Sequence, residues 1–282
     1  MSSILSSIEK VVVGEVKLSA SRTLAYRAFG IGFPVLFFPG NLNSRYFRPA
    51  WDATEVIAEK CGVRVIVVDR PGVGFSSLPP IESYNEFAEL IAEFVSVTKL
   101  ESLGLLGFSS GGPYAAACAC RLNSKVNKLV LVSADGEYAN PDLNVDPTLI
   151  YGMTRDLVLS NSEKIARDNC KKLFSSYETM KNEERRKIAL FDLEEATRFG
   201  YLGVAQDCIL ENLPWTFKRP ENQSFSVQII HGENDESVPK RVAQWYATQF
   251  ENSTLQLISG ENHSLIRRKW QDILQIFSRS NL

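Results

Sequence analysis

The strongest chemical signal in the chain is a serine held between glycines, Gly107-Phe108-Ser109-Ser110-Gly111, with Gly112 following. It stands directly after the apolar run Leu103–Leu106 and directly before the small-residue stretch Pro113–Cys120. In so tight a strand-to-helix turn the serine backbone is strained, and its hydroxyl is presented at the head of the helix, where backbone N–H groups point outward. Gly107 and Gly111 are needed because side chains at those positions would collide. Ser110 is the rival nucleophile, but its own flanks would be Phe108 and Gly112, and Phe108 breaks the pattern. The plain alternative is a glycine-rich turn without chemistry; the placement between strand and helix argues against it.

A serine hydroxyl attacks only when a base takes its proton. The chain has two histidines, His231 and His263. His231 ends the run Phe225–Ile230, where a structural role fits best. His263 lies in the polar loop Gly260-Glu261-Asn262-His263-Ser264-Leu265, between a strand and the last helix, where catalytic groups of parallel sheets belong. The base needs an acid to hold its tautomer. Asp235, in His231-Gly232-Glu233-Asn234-Asp235-Glu236-Ser237-Val238-Pro239, fits that role best; Glu233 and Glu236 are alternatives, and Asp135 is a second choice. The order Ser109, Asp235, His263 then defines a triad. Its oxyanion needs two donors. The expected ones are the N–H of Ser110 and that of Asn41, in Pro39-Gly40-Asn41-Leu42 after the run Pro34–Phe38.

The elements that must position these groups are legible as alternating strand and helix patterns, which predict an α/β fold with a mostly parallel sheet covered on both faces. Pro34–Phe38, Arg64–Val68, Leu103–Leu106, Lys128–Val132 and Phe225–Ile230 read as core strands, with Thr254–Ile258 outside them. Glu15–Ser19 and Thr23–Ala28 read as an opening hairpin. Helices are expected at Thr54–Cys61, Ser83–Thr98, Gly111–Leu122, Lys240–Phe250 and Leu265–Ser278. From about Asp135 to Gln223 no strand is evident, only helical patterns such as Glu163–Phe174 and Glu183–Phe191. The boundaries are therefore a core of 1–134 and 224–282 with an inserted helical cap, or lid, at 135–223. Within that insertion Tyr151, Phe199, Tyr201, Trp215 and Phe217 are candidates for an apolar acyl pocket, Tyr151 and Trp215 foremost. Asp69-Arg70-Pro71-Gly72-Val73-Gly74-Phe75-Ser76 completes no nucleotide-binding pattern and reads as a tight turn supporting the site.

Composition excludes other classes. The 282 residues carry a formal net charge of −2 without a long run of one sign, so nucleic acid is not an expected partner. No window approaches the roughly 20 apolar residues that span a bilayer, so no membrane partner is expected. The stretch Met1–Glu15 lacks the basic and apolar pattern of a secretory signal. Cys61, Cys118, Cys120, Cys170 and Cys208 are odd in number and show no CxxC spacing, which argues against a disulfide framework or a metal site and for a reducing, cytoplasmic location. Oligomeric state is not readable.

The ordered motifs Phe38–Asn41, Asp69–Gly74, Gly107–Gly112, His231–Asp235 with Val238-Pro239, and Gly260–His263 together resemble the α/β-hydrolase superfamily over nearly the whole chain. Gly107–Ala115 and Asp207–Trp215 are similar to a broad group of largely uncharacterised members. The resemblance implies the α/β-hydrolase fold: an eight-stranded, mostly parallel sheet flanked by helices, a helical cap over the triad, and no cofactor. One departure is Pro39-Gly40, where many members carry His-Gly; the backbone donor survives that change. The expected activity is hydrolysis of a carboxylic ester or related acyl bond in a small-molecule acyl substrate through an acyl-enzyme. Serine at the nucleophile position argues against the epoxide hydrolases and dehalogenases of the superfamily, which use aspartate. Peptidase, thioesterase and carbon–carbon hydrolase chemistry share the same triad. The alternative class is a ligand-binding or receptor-type member with slow or no turnover.

Overall fold

A computed structural model of the protein describes residues 11–77 and 79–278. The outer ends of the expected core boundaries, and most of the Met1–Glu15 stretch, lie outside the described residues.

Eight strands form one sheet: β1 (Val12–Lys17), β2 (Thr23–Gly30), β3 (Phe33–Phe38), β4 (Val63–Val68), β5 (Leu103–Phe108), β6 (Val126–Val132), β7 (Ser226–Gly232) and β8 (Ser253–Ile258), in the spatial order β1-β2-β4-β3-β5-β6-β7-β8. β2 runs antiparallel to both β1 and β4, and all other neighbours are parallel. Alternate strand residues feed two different cores, as the two-residue period of a strand requires. Val35, Phe37, Val65, Val67 and Leu106 face α1 (Thr54–Lys60) and the C-terminal helices. Leu36, Phe38, Ile66, Val68 and Leu105 face α2 (Tyr84–Val97) and α3 (Gly111–Leu122). Buried aromatics close both layers, with Trp270 and Phe277 on the first and Phe87 and Tyr114 on the second. Each such side chain contributes about 1.5–3 kcal/mol by leaving water.

Between β6 and β7 the chain forms α4 (Pro147–Tyr151), α5 (Arg155–Glu178), α6 (Glu183–Ala196) and α7 (Leu202–Glu211), and no strand. α5 is broken at Asn161, which leaves helical geometry at φ −124° and ψ 17°. α8 (Lys240–Gln249) follows β7. The single C-terminal helix expected at Leu265–Ser278 is two, α9 (Leu265–Arg268) and α10 (Trp270–Gln275), parted at Lys269. Ile266, Trp270, Ile273, Leu274 and Phe277 are nevertheless all buried, so the apolar spacing was read correctly across the break. The strand expected at Phe225–Ile230 is β7 shifted later, which places His231 inside it rather than at its end.

The sheet order places the site. β3 has β4 on one side and β5 on the other, and the helices that follow β3 and β4 pack on opposite faces. The loops leaving the C-terminal ends of β3 and β5 therefore diverge and open a crevice between them, the usual ligand position in such sheets.

Candidate active site

Ser109 follows the last residue of β5 and has a left-handed φ of 52°, a conformation unfavourable for a side-chain-bearing residue. The turn persists because its surroundings admit no alternative. A Cβ on Gly111 would lie 1.9 Å from Phe38 O, and one on Gly107 would lie 2.7 Å from Gly111 O and from Gly112 Cα. The Ser109 N–H donates to Val132 O (3.1 Å), and Gly112 N–H donates back to Ser109 O (2.8 Å). Leu42 and Ser133, at the neighbouring strand ends, are also left-handed, so backbone strain concentrates on this edge.

The expected triad residues are brought together. Ser109 Oγ is 3.0 Å from His263 Nε2, and His263 Nδ1 is 2.9 Å from Asp235 Oδ2 and 3.2 Å from Oδ1. Asp235 is fixed by accepting from the N–H groups of Ser237 and Val238, both at 2.9 Å. Burial alone would raise its pKa, but the hydrogen bond and charge of His263, with the Val238 N–H, outweigh that and hold the carboxyl below its ordinary range. In the tautomer with a proton on Nδ1, His263 donates to Asp235 and offers Nε2 to the Ser109 hydroxyl. His231 is 1% exposed with Nε2 3.0 Å from Val238 O, and burial lowers its pKa, so it takes the structural role expected of it.

Asn41 and Ser110 line the same cavity as Ser109 and His263. The Ser110 side chain is buried, with Oγ donating to Asp135 Oδ2 at 3.0 Å, and it is Ser109 rather than Ser110 that meets the imidazole. The Asn41 side chain donates to Val204 O (2.8 Å) and Asp207 Oδ2 (3.0 Å), which anchors the loop. Behind the loop, the Arg70 guanidinium donates to Pro39 O (2.7 Å), Gly40 O (3.1 Å) and Asp207 Oδ2 (3.0 Å). Tyr114 OH completes Asp207 at 2.8 Å. The motif read as a supporting turn thus supplies, through Arg70, the hydrogen bonds that shape the Pro39-Gly40 loop. Farther along that loop, Asn43 and Ser44 hydrogen-bond Asp192 of α6, whose carboxyl is pushed up to about 6 by burial against those donors.

The cavity measures ≈ 500 Å³ and lies between the strand-end loops and α4, α5 and α7. Tyr151 lines it, as expected, with its hydroxyl on Glu211. Trp215 does not: it packs with Tyr84, Phe217, Trp245 and Tyr246 at ring separations of 5.2–6.3 Å, in an aromatic cluster against α2 and α8. That correction has a simple cause. An indole that can contact four rings gains more from them than from a half-open cavity. Phe217 belongs to the same cluster, while Phe199 is 65% exposed against Phe75 and Tyr201 packs beneath the Arg167 guanidinium.

Two further cavity acids stand out, one weighed from sequence only as a second-choice acid for the base and one not singled out there. Asp135, after β6, is buried with Oδ2 3.3 Å from Ser109 Oγ and Oδ1 2.6 Å from Tyr138 OH. Glu211, at the end of α7, is 3% exposed, and its Oε1 has no hydrogen-bond partner. The sequence signal for Glu211 is faint: one acid ending the apolar turn Cys208-Ile209-Leu210. Among the described residues no cluster of three or more His, Cys, Asp or Glu could hold a metal ion, and no helix is long and apolar enough to cross a membrane.

A family model described as alpha/beta hydrolase fold matches residues 34–266, and the chain belongs to that family. It is similar to a Synechocystis sp. protein named as a non-heme chloroperoxidase, 26% identical over 270 residues that cover 90% of this chain and 93% of that one. A pimeloyl-[acyl-carrier protein] methyl ester esterase from Aromatoleum aromaticum is 26% identical over 204 residues, 69% of this chain and 78% of the relative. Among solved structures, an esterase from Exiguobacterium antarcticum superposes with a TM-score of 0.68 at 21% identity, covering 94% of this chain and 99% of that one. At that identity the likeness speaks to the fold alone.

Proposed function

We propose that the protein is a serine hydrolase that cleaves a carboxylic ester, or a related acyl bond, of a small-molecule substrate. The observation that carries this reading is the unbroken chain from Ser109 Oγ through His263 to Asp235, at 3.0 Å and 2.9 Å. Relatives named as esterases support hydrolase activity.

Ser109 Oγ bonds to the acyl carbon as its proton passes to His263 Nε2, and Asp235 stabilises the imidazolium. The tetrahedral oxyanion takes hydrogen bonds from the N–H groups of Asn41 and Ser110. When the intermediate collapses, the bond to the leaving oxygen breaks and His263 returns the proton to that oxygen. Water, deprotonated by His263, then attacks the acyl-enzyme, and the carboxylic acid leaves with Ser109 regenerated. In this reading residues 135–223 act as a cap on a core of 1–134 and 224–282, and selectivity resides where Tyr151 and its neighbours wall the cavity.

The test is labelling of wild type and Ser109→Ala with a fluorophosphonate, followed by peptide mass spectrometry. An adduct on Ser109 that is absent from the variant is the expected result. A folded wild type that takes no adduct overturns the reading and directs attention to ligand binding without turnover.

A further inference from the structure

Three buried carboxylates, Asp135, Asp207 and Glu211, stand close together behind the nucleophile, and one guanidinium serves them. That group, Arg70, is bonded to Asp207. Asp135 and Glu211 line the cavity itself, and the side chains bonded to them are neutral hydroxyls: Tyr138, Ser110 and Ser109 around Asp135, and Tyr151 and Ser110 around Glu211. The one hydrogen of the Ser110 hydroxyl is given to Asp135, and Glu211 Oε1 is left buried with no donor. Lys172 is the sole lysine or arginine lining the cavity; it is exposed and forms no ion pair with either carboxylate. Buried carboxylates are ordinarily paired with a cation or kept protonated, and a lone buried acceptor oxygen is costly. Burial, then the charges of Asp135 and Asp207, hold Glu211 well above its ordinary range, and burial raises Asp135 as well. Among the described residues no lysine or arginine is paired with either acid, and only the charge of His263 acts on Asp135.

We propose that Asp135 and Glu211 form a subsite for a protonated amine, so that the preferred substrates are acyl compounds carrying a primary alkylammonium group near the scissile bond. An ammonium brings both missing elements. Its charge offsets the carboxylate next to Ser109, and its N–H donates to Glu211 Oε1 in a charge-assisted bond. The apolar side chains of Leu42, Ile150, Leu173 and Val238 line the cavity alongside and suit an alkyl chain. By the same electrostatics, substrates with a carboxylate or phosphate at this position are disfavoured. The proposal rests on the cavity being the acyl-substrate site of the serine hydrolase described above.

The test separates binding from chemistry. Ligand-observed NMR on folded Ser109→Ala protein measures the affinities of n-butylammonium, 1-butanol and butyrate, three probes of matched chain length. The expected order is butylammonium over butanol by about tenfold or more, a reasonable return for one charge-assisted hydrogen bond, with butyrate weakest. Adding Glu211→Gln, and separately Asp135→Asn, should shrink the ammonium advantage to within about threefold in whichever variant retains native circular dichroism. Equal affinity for butylammonium and butanol in the parent protein overturns the subsite, as does an advantage that survives both substitutions. Fluorophosphonate labelling of wild type is scored independently. Labelled Ser109 without an ammonium preference sinks the subsite alone, and an ammonium preference without labelling sinks the hydrolase reading alone.

Discussion

Asp235 and Asp135 follow neighbouring parallel strands, β7 and β6, and both reach the nucleophile–imidazole pair, yet their surroundings give them opposite characters. Asp235 meets the ring nitrogen of His263 and two backbone N–H groups, and its carboxyl is held below the ordinary range despite burial. Asp135 meets Ser109 Oγ, other hydroxyls and a second buried acid; burial dominates and its carboxyl is raised. The contrast teaches that a carboxylate near the candidate nucleophile is assigned its character by its partners and its access to countercharge, not by its distance to the serine. Asp207 lies between these cases. It is as buried as Asp135 but has Arg70 as a direct ion pair, and its carboxyl is still raised because burial outweighs the guanidinium.

The comparison can be broken most directly by neutralising each acid in turn. Asp235→Asn should lower kcat by about 10⁴, because His263 would no longer be held in the tautomer that accepts the serine proton. Asp135→Asn should cost roughly tenfold or less on a neutral ester, a minor general acid–base effect at most. Equal losses measured by steady-state kinetics would mean that both acids act on the imidazole.

The next largest effect concerns the countercharge. Arg70→Ala leaves Asp207 buried and unpaired, and should cost about 3–5 kcal/mol of stability in urea unfolding. A loss below about 1 kcal/mol would show that Asp207 already carries a proton.

Asn41→Ala keeps the candidate oxyanion N–H but removes the ties to Val204 O and Asp207. Loosening that donor should lower kcat about tenfold, less than the 10²–10³ expected for removing one outright, with KM little changed. A change confined to KM would move Asn41 from the oxyanion to substrate binding.

The smallest effect is a difference of sign. Asp235 has a depressed folded pKa, so its stabilising contribution is present above the unfolded value near 4 and is lost as pH falls through the folded value. Asp135 has a raised one, so its contribution is full below the unfolded value and is lost as pH rises through the folded value. The stability difference between wild type and Asp235→Asn should therefore grow with pH in the acid range. That between wild type and Asp135→Asn should shrink as pH rises above about 4. Denaturant titrations across pH 3–8 check both, and parallel slopes would erase the distinction.

What could be read along the chain is what depends on neighbours along the chain. The turn at Ser109 is encoded by Gly107 and Gly111, and the apolar runs that became β3 to β6 announce themselves by composition. Loop position was enough to select His263 over His231, and the loop after β7 as the source of the acid, for the contacts with the serine and the imidazole. Helix ends were less legible. Nothing in Leu265–Ser278 marks Lys269 as a break, because the apolar spacing continues across it and packing beneath the sheet decides the bend.

What only the tertiary structure decided are the partners distant in sequence. Trp215 sits in a helical insertion that suggested a pocket wall, but Tyr84, Trp245 and Tyr246 came from elsewhere to cover it. Arg70 lies 30 residues from Gly40 and 137 from Asp207, and its grip on both arises where the ends of the parallel neighbours β3 and β4 meet α7. The same holds for Asp135 and Glu211, an acid after a strand and an acid ending a helix. Spacing along a backbone determines local geometry and the exposure pattern of each element. Which buried charge finds a countercharge, and which must keep a proton or wait for a ligand, is settled only when separate elements share one low-dielectric space.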